Sequence, residues 1–300
     1  MAGRVRIGIS GWTYKGWRGV FYPERLSHKK ELAYAAAFFP SIEINGTFYS
    51  LQRPSSFAAW AENTPEDFVF SIKGSRYITH MLKLRNVEQP LANFFASGLL
   101  ALGHKLGPIL WQFPPQFRFN AGLIEEFFQL LPNDTRAAAG LATRHDERLE
   151  GRAYTAIGRK RPLRHAMEIR HPSFVSPEFV TLLRRYNVAL VCADTVEWPL
   201  LMDVSSDFIY CRLHGSEVLY TSGYSDASLD QWAARITAWA QGGEVIEGDH
   251  ASPKPARKRA ARDVYVYFDN DAKVFAPKDA QALASRVERL LQDQATRALP

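Results

Sequence analysis

His165-Ala166-Met167-Glu168-Ile169-Arg170 and Phe208-Ile209-Tyr210-Cys211-Arg212-Leu213-His214 are built alike: each is a short run that closes on two ionisable residues spaced two apart. Side chains alternate in direction along a strand, so each pair shares one face. Six further β-branched and aromatic runs, at 6–10, 41–45, 68–73, 109–113, 188–194 and 264–270, mostly end in similar polar punctuation. Helical patterns separate most of them. Together they predict a single-domain TIM-type (β/α)8 barrel over 1–300, with the carboxyl ends of all strands at one mouth. Glu43, Asn45, Lys73, Gln112, Glu168, Arg170, Asp194, Arg212, His214 and Asn270 are expected to converge there.

The connecting segments carry their own signals. Ser176-Pro177-Glu178 supplies an N-cap, a first-turn proline and an acid ahead of Phe179, Leu182 and Leu183, and Asn187 can end that helix. Ser225 precedes Leu229, Trp232, Ile236 and Trp239, a stripe at helical spacing. Helices are also predicted at 27–39, 55–62, 86–106, 120–131 and 277–291, with an extra one at 135–149. Thr195 to Ser206 is short and broken by Pro199, so an irregular connection is expected after the sixth strand. A doubly wound open sheet would alternate in the same way. Against it, Gly8 and Gly11 are followed by Trp12, Tyr14 and Trp17, where a pyrophosphate-binding turn needs small residues.

Composition narrows the function classes. With 300 residues and 46% hydrophobic content the chain can bury one large core. No apolar run approaches the roughly 18 to 20 residues of a membrane span, and Met1 leads into the first strand without a signal-peptide core, which points to a cytoplasmic protein with no membrane partner. If Asp194, Arg212 and His214 face the lumen, Cys192 points inward and Cys211 outward, as packing thiols. The net charge of +6 owes most of its excess to Lys254, Arg257, Lys258, Arg259 and Arg262. Within 244–262 these read as a flexible, solvated basic insertion on the barrel face opposite the mouth, with nucleic-acid contact as the other use.

Ordered motifs run through nearly the whole chain: Ile9-Ser10-Gly11-Trp12 with Tyr14 and Trp17, Glu43-Ile44-Asn45 with Thr47-Phe48-Tyr49, Gln112-Phe113-Pro114-Pro115, Glu168-Ile169-Arg170-His171-Pro172-Ser173, Arg212-Leu213-His214-Gly215 and Tyr267-Phe268-Asp269-Asn270. Their sequence resembles the YecE-like family, the domain of unknown function 72. The resemblance implies a barrel and no particular reaction. Asp269 departs from it, standing where many relatives have the first of two asparagines, and the basic stretch 253–262 looks like an insertion.

Opposite charges therefore alternate around the expected mouth. In the functional reading Glu168, Asp194 or His214 moves protons, while Arg170, Arg212 and Lys73 hold an anionic group. Trp12, Glu43, Asn45, Gln112, Tyr224 and Asn270 would complete the substrate-binding set of an enzyme acting on a small anionic or sugar-like ligand. No cofactor is predicted. A divalent metal on Glu43, Glu168, Asp194, His171 and His214 is an alternative, although no H-E-x-x-H spacing supports it. A nucleic-acid-processing or nucleic-acid-binding protein, a non-catalytic ligand-binding barrel and a structural ion-pair layer are the remaining readings.

Overall fold

A computed structural model describes residues 2–215 and 217–297; Met1, Ser216 and 298–300, included in the reading of one domain over 1–300, lie outside the described residues. The strands are β1 Val5–Ser10, β2 Ser41–Ile44, β3 Val69–Lys73, β4 Leu106–Gln112, β5 His165–Glu168, β6 Ala189–Asp194, β7 Phe208–Leu213 and β8 Asp263–Phe268. All pair in parallel in sequence order, and β8 returns to β1, so the sheet closes into a barrel. Each matches an expected run to within a few residues.

Closure buries both faces of the strands. Every residue of β3 and β7 is buried, Ser71, Lys73 and Arg212 included, so neither strand has a solvent-facing side. Val69, Leu110, Ala166, Ala189, Val191, Phe208, Tyr210, Tyr265 and Tyr267 form the inner cluster. Tyr267 Oη meets Ser41 Oγ at 2.6 Å and Ser71 Oγ at 2.7 Å, so its polar end is satisfied inside the lumen. The alternate residues, among them Ile7, Ile9, Ile42, Ile44 and Ile72, pack outward in the larger cluster shared with the helices.

The helical expectations hold with instructive exceptions. Ser176 Oγ accepts from Glu178 N, Ser225 Oγ accepts from Ser228 N, and Asn187 closes the Pro177–Tyr186 helix at φ 53°. The predicted 86–106 helix instead splits into Glu88–Ala96 and a 3-10 segment Leu99–Lys105, because Gly98 turns the chain at φ 119°. The extra helix is shorter than expected, Thr135–Ala142, followed by a turn at Glu147–Leu149. No helix joins β6 to β7. That irregular connection is fastened by Asp203, whose carboxylate accepts from Ala251 N and Ser252 N at 2.7 and 3.0 Å.

Two expectations need correction. The β6–β7 register aligns Ala193 with Arg212 and Cys192 with Cys211. Since Ala193 and Arg212 face the lumen, both cysteines point outward, buried and unbridged, so Cys192 is not an interior thiol. The basic segment, for its part, lacks helix and strand but is not wholly solvated. Arg262 is buried, and its guanidinium donates to the carbonyls of Gly242, Gly243 and Arg257 at 2.6–2.9 Å. Lys254, Arg257, Lys258 and Arg259 remain exposed near the amino end of β8, away from the mouth.

Candidate active site at the barrel mouth

Arg212, wholly buried near the end of β7, organises the upper lumen. Its Nη1 donates to Glu168 Oε2 at 2.7 Å, and Nη2 reaches Asp269 Oδ2 at 2.7 Å, Glu43 Oε1 at 3.0 Å and Ser10 Oγ at 3.2 Å. Tyr210 Oη donates to Glu43 Oε2 at 2.6 Å, and Ser10 Oγ donates to Glu43 Oε1. Arg170 closes the circuit: it pairs with Glu168 Oε1 at 2.7 Å and lies 3.9 Å from the Trp198 ring centroid. Such dense pairing is what buried charges require.

The pairing fixes protonation. Burial pushes the Glu168 carboxyl up, but Arg212 and then Arg170 outweigh it and hold the group well below the usual carboxylate range. Asp269 is held low in the same way, with Arg212 and His214 overcoming burial. Burial and then Arg212 push the His214 imidazole down; its Nδ1 lies 3.2 Å from Asp269 Oδ2 and its ring meets Trp198 and Tyr220 edge to face. Glu168 and His214 are thus both at the expected mouth, within the ion network around Arg212.

Lys73 differs. It ends β3, is 9% exposed, and its Nζ sits 4.6 Å from the Phe48 ring centroid. Among the described residues it makes no side-chain hydrogen bond or ion pair. The Phe48 face attracts an ammonium, but burial and then Arg212 weigh more, lowering Lys73 to about 8 against the pull of Asp269, Glu43 and Glu168.

Lys73 lines a cleft of about 590 Å³ together with Trp12, Tyr14, Asn45, Tyr49, Gln52, Trp60, Tyr220, Asp269 and Asp271. Gly11, at φ 85°, turns the chain after β1 and brings Trp12 over this mouth, where it meets Trp60 edge to face at 5.4 Å. Asn45 Nδ2 donates to Ser10 Oγ at 3.0 Å, tying the cleft wall to the Arg212 network. Burial and then Asp269 raise Asp271 to about 6. Tyr220 holds a left-handed backbone at φ 61°, an uncommon conformation for a bulky residue, and accepts from Arg170 Nη2 at 3.4 Å.

Three expected site residues lie elsewhere. Strand parity carries Asp194 outward, where Oδ2 accepts from Trp232 Nε1 at 2.8 Å; burial raises its carboxyl, opposed by that bond. Tyr224 packs outside the wall on Phe268, and its Oη accepts from Gly215 N. Asn270 Nδ2 donates to Asp279 Oδ2 at 2.9 Å. His171, offered as a metal ligand, instead bonds Ser173 next to it. Among the described residues no group of three or more His, Cys, Asp or Glu side chains is disposed to hold a metal. Trp12, Glu43, Asn45, Lys73, Arg170 and Arg212 do gather, and Gln112 is buried at the end of β4 in register with Glu168.

Ser10, Gln52, Trp60, Tyr210, Asp269 and Asp271 complete the arrangement although they were not placed in it by sequence. For Ser10 and Asp269 the available signal was parity, since they follow Gly8 and Tyr267 on the inward face of their strands. A larger groove, about 890 Å³, opens at the opposite end. Two of its cations are already paired, Arg164 with Asp207 and Asp263, and Arg185 with Glu125, so its size does not make it the better site.

The closed parallel barrel and its charged mouth define a TIM-type (β/α)8 protein. The chain belongs to the family described as "Protein of unknown function DUF72", whose sequence model matches residues 6–300. It is 29% identical over 118 residues to the UPF0759 protein YunF of Bacillus subtilis, a match covering 38% of this chain and 41% of that protein. It is also 29% identical over 113 residues to the UPF0759 protein YecE of Escherichia coli K12, covering 38% and 39% of the two. These matches thus span about two fifths of each relative's length. A DUF72 family crystal structure from Thermotoga maritima superposes with a TM-score of 0.71 at 23% identity, covering 96% of this chain and 99% of the other. One from Enterococcus faecalis gives 0.68 at 16% identity, with 95% coverage of both. These structural likenesses establish the fold.

Proposed function

We propose that the barrel mouth is an enzyme active site performing acid–base chemistry on a small sugar-like substrate, with Lys73 and Asp271 as the groups that exchange protons with it. The observation carrying this reading is that one cleft contains an unpartnered buried amine shifted to about 8 and a desolvated carboxyl shifted to about 6. Groups whose environments move them toward neutrality are suited to proton transfer near pH 7. Trp12, Trp60 and Tyr49 offer apolar ring surface, and Asn45 and Gln52 offer amides, a combination suited to a hydroxyl-bearing ring or chain.

An anion clamp fits less well. Arg170 and Arg212 are committed to Glu43, Glu168 and Asp269, so little positive charge remains for a ligand. The exposed cations of 254–262 precede the amino end of β8, at the end of the barrel away from the mouth.

A screen of neutral and phosphorylated monosaccharides against oligonucleotides, read by ligand-observed NMR, tests the assignment. Neutral sugars should bind, and Asp271→Asn should lower turnover of the substrate so found by roughly 10²- to 10⁴-fold while folding survives. Binding confined to oligonucleotides overturns the reading.

A further inference from the structure

We infer that Lys73 is a nucleophile: its amine captures a small hydroxyaldehyde or hydroxyketone in the cleft as a covalent imine. This rests on the mouth being the active site and adds that the sugar-like substrate carries a reactive carbonyl. The geometry points there because, among the described residues, Lys73 Nζ is left without an anionic partner, although three carboxylates surround the neighbouring Arg212. Counter-ion duty has gone to Arg212 and Arg170. An amine placed for anchoring would be expected within ion-pair reach of one of those carboxylates.

Charge argues the same way. The mouth and its cleft hold Arg170, Arg212 and Lys73 against Glu43, Glu168, Asp269 and Asp271, a set that does not attract a second anion. The half-buried His80, on the loop after β3, meets Phe48 edge to face, and burial lowers it to about 4. It adds no charge at neutral pH. Burial and Arg212 leave Lys73 partly unprotonated near pH 7, the state that attacks a carbonyl.

The step balances without a further reagent. The Nζ lone pair forms a bond to the carbonyl carbon as the C=O π pair moves to oxygen, which takes up a proton while nitrogen loses one. In the resulting carbinolamine the nitrogen lone pair forms the second C–N bond as the C–O bond breaks, the hydroxyl takes up one proton and leaves as water, and the nitrogen gives up its remaining proton in exchange, leaving C=N. Asp271, in the same cleft, is the group for these proton transfers.

The test is reductive trapping. The whole protein is incubated with glycolaldehyde or dihydroxyacetone and sodium cyanoborohydride at pH 7, and modified lysines are mapped by peptide mass spectrometry. One adduct should form at Lys73 at least about tenfold faster than at any other lysine, as expected for a desolvated amine. Lys73→Met and Lys73→Arg should both abolish it, and Asp271→Asn should slow it. Ligand-observed NMR on the same samples separates the two claims. Probe binding in the cleft with Lys73 unmodified overturns the imine and leaves the active-site reading standing. Neither binding nor trapping overturns the imine for these carbonyl classes and, if the sugar screen is also empty, the reading beneath it. Trapping spread over exposed lysines with no preference for Lys73 overturns the proposal as well. Folding of the variants does not enter, because the decisive adduct is read on the unmutated chain.

Discussion

Arg212 and Lys73 are both cations buried in the upper lumen, yet one is enclosed by carboxylates and the other's ammonium has no hydrogen-bond or ion-pair partner among the described residues. Arg212 touches three carboxylates, and its planar fork distributes donors among them. Lys73 ends its strand over the Phe48 ring beside open volume. One barrel end thus holds two kinds of buried cation. A network of ion pairs around Arg212 fixes the walls, and Lys73, which makes no ion pair among the described residues, faces the space they enclose.

The largest effect should come from removing the ion-paired cation. Arg212→Ala leaves Glu43, Glu168 and Asp269 buried without their common cation and should cost about 3–5 kcal/mol in denaturant unfolding. Lys73→Met keeps the volume and removes a buried charge that has no ion-pair partner among the described residues, so at pH 7 it should leave the protein at least as stable as the native chain. Equal losses in the two variants would break the comparison.

Arg262 sharpens it, being a third buried cation whose partners are only backbone carbonyls. Arg262→Ala should cost about 1–3 kcal/mol, the penalty for leaving buried acceptors unpaired, whereas neutralising the exposed Lys258 should be nearly silent. A null result at Arg262, measured by thermal unfolding, would return the whole segment to the status of a solvated insertion.

pH separates Lys73 from the carboxylates around Arg212 by window, since both contributions grow with rising pH but over different ranges. Lys73 falls from an ordinary 10.5 to about 8 in the folded chain. Between these values the unfolded chain binds the extra proton, so the stability of the native protein relative to Lys73→Met should rise as pH increases from about 8 to 10.5. Glu168 and Asp269 are depressed, so their contribution is present above the ordinary carboxylate range and is lost as the pH falls through their low folded values. A flat difference between native and Lys73→Met curves above pH 8 would refute the desolvated amine.

The smallest effect is expected at Asp194. Asp194→Asn preserves an acceptor for Trp232 outside the wall, so stability should move by about 1 kcal/mol at most and turnover of any substrate found at the mouth by less than about twofold. A drop of a hundredfold or more in kcat would put Asp194 back in the chemistry.

The barrel was legible from the amino-acid order alone: eight runs with helices between most of them leave few other ways to bury that much apolar strand. That order also determined which strand ends carry charge, so Glu43, Lys73, Glu168, Arg170 and Arg212 were legible as a group. It could not decide which way each end residue points. Parallel barrel strands are buried on both faces, so alternation is erased from the composition, and a one-residue error in parity moves a side chain through the wall. That is how Asp194 and Asn270 were read into the mouth while Asp269 was left out of it. Nor could sequence show that Arg212 would be ion-paired with three carboxylates and Lys73 with none among the described residues. Both are basic residues near strand ends, and only the three-dimensional placement of Glu43, Glu168 and Asp269 around one guanidinium distinguishes the cation that holds the wall from the one that faces the cleft.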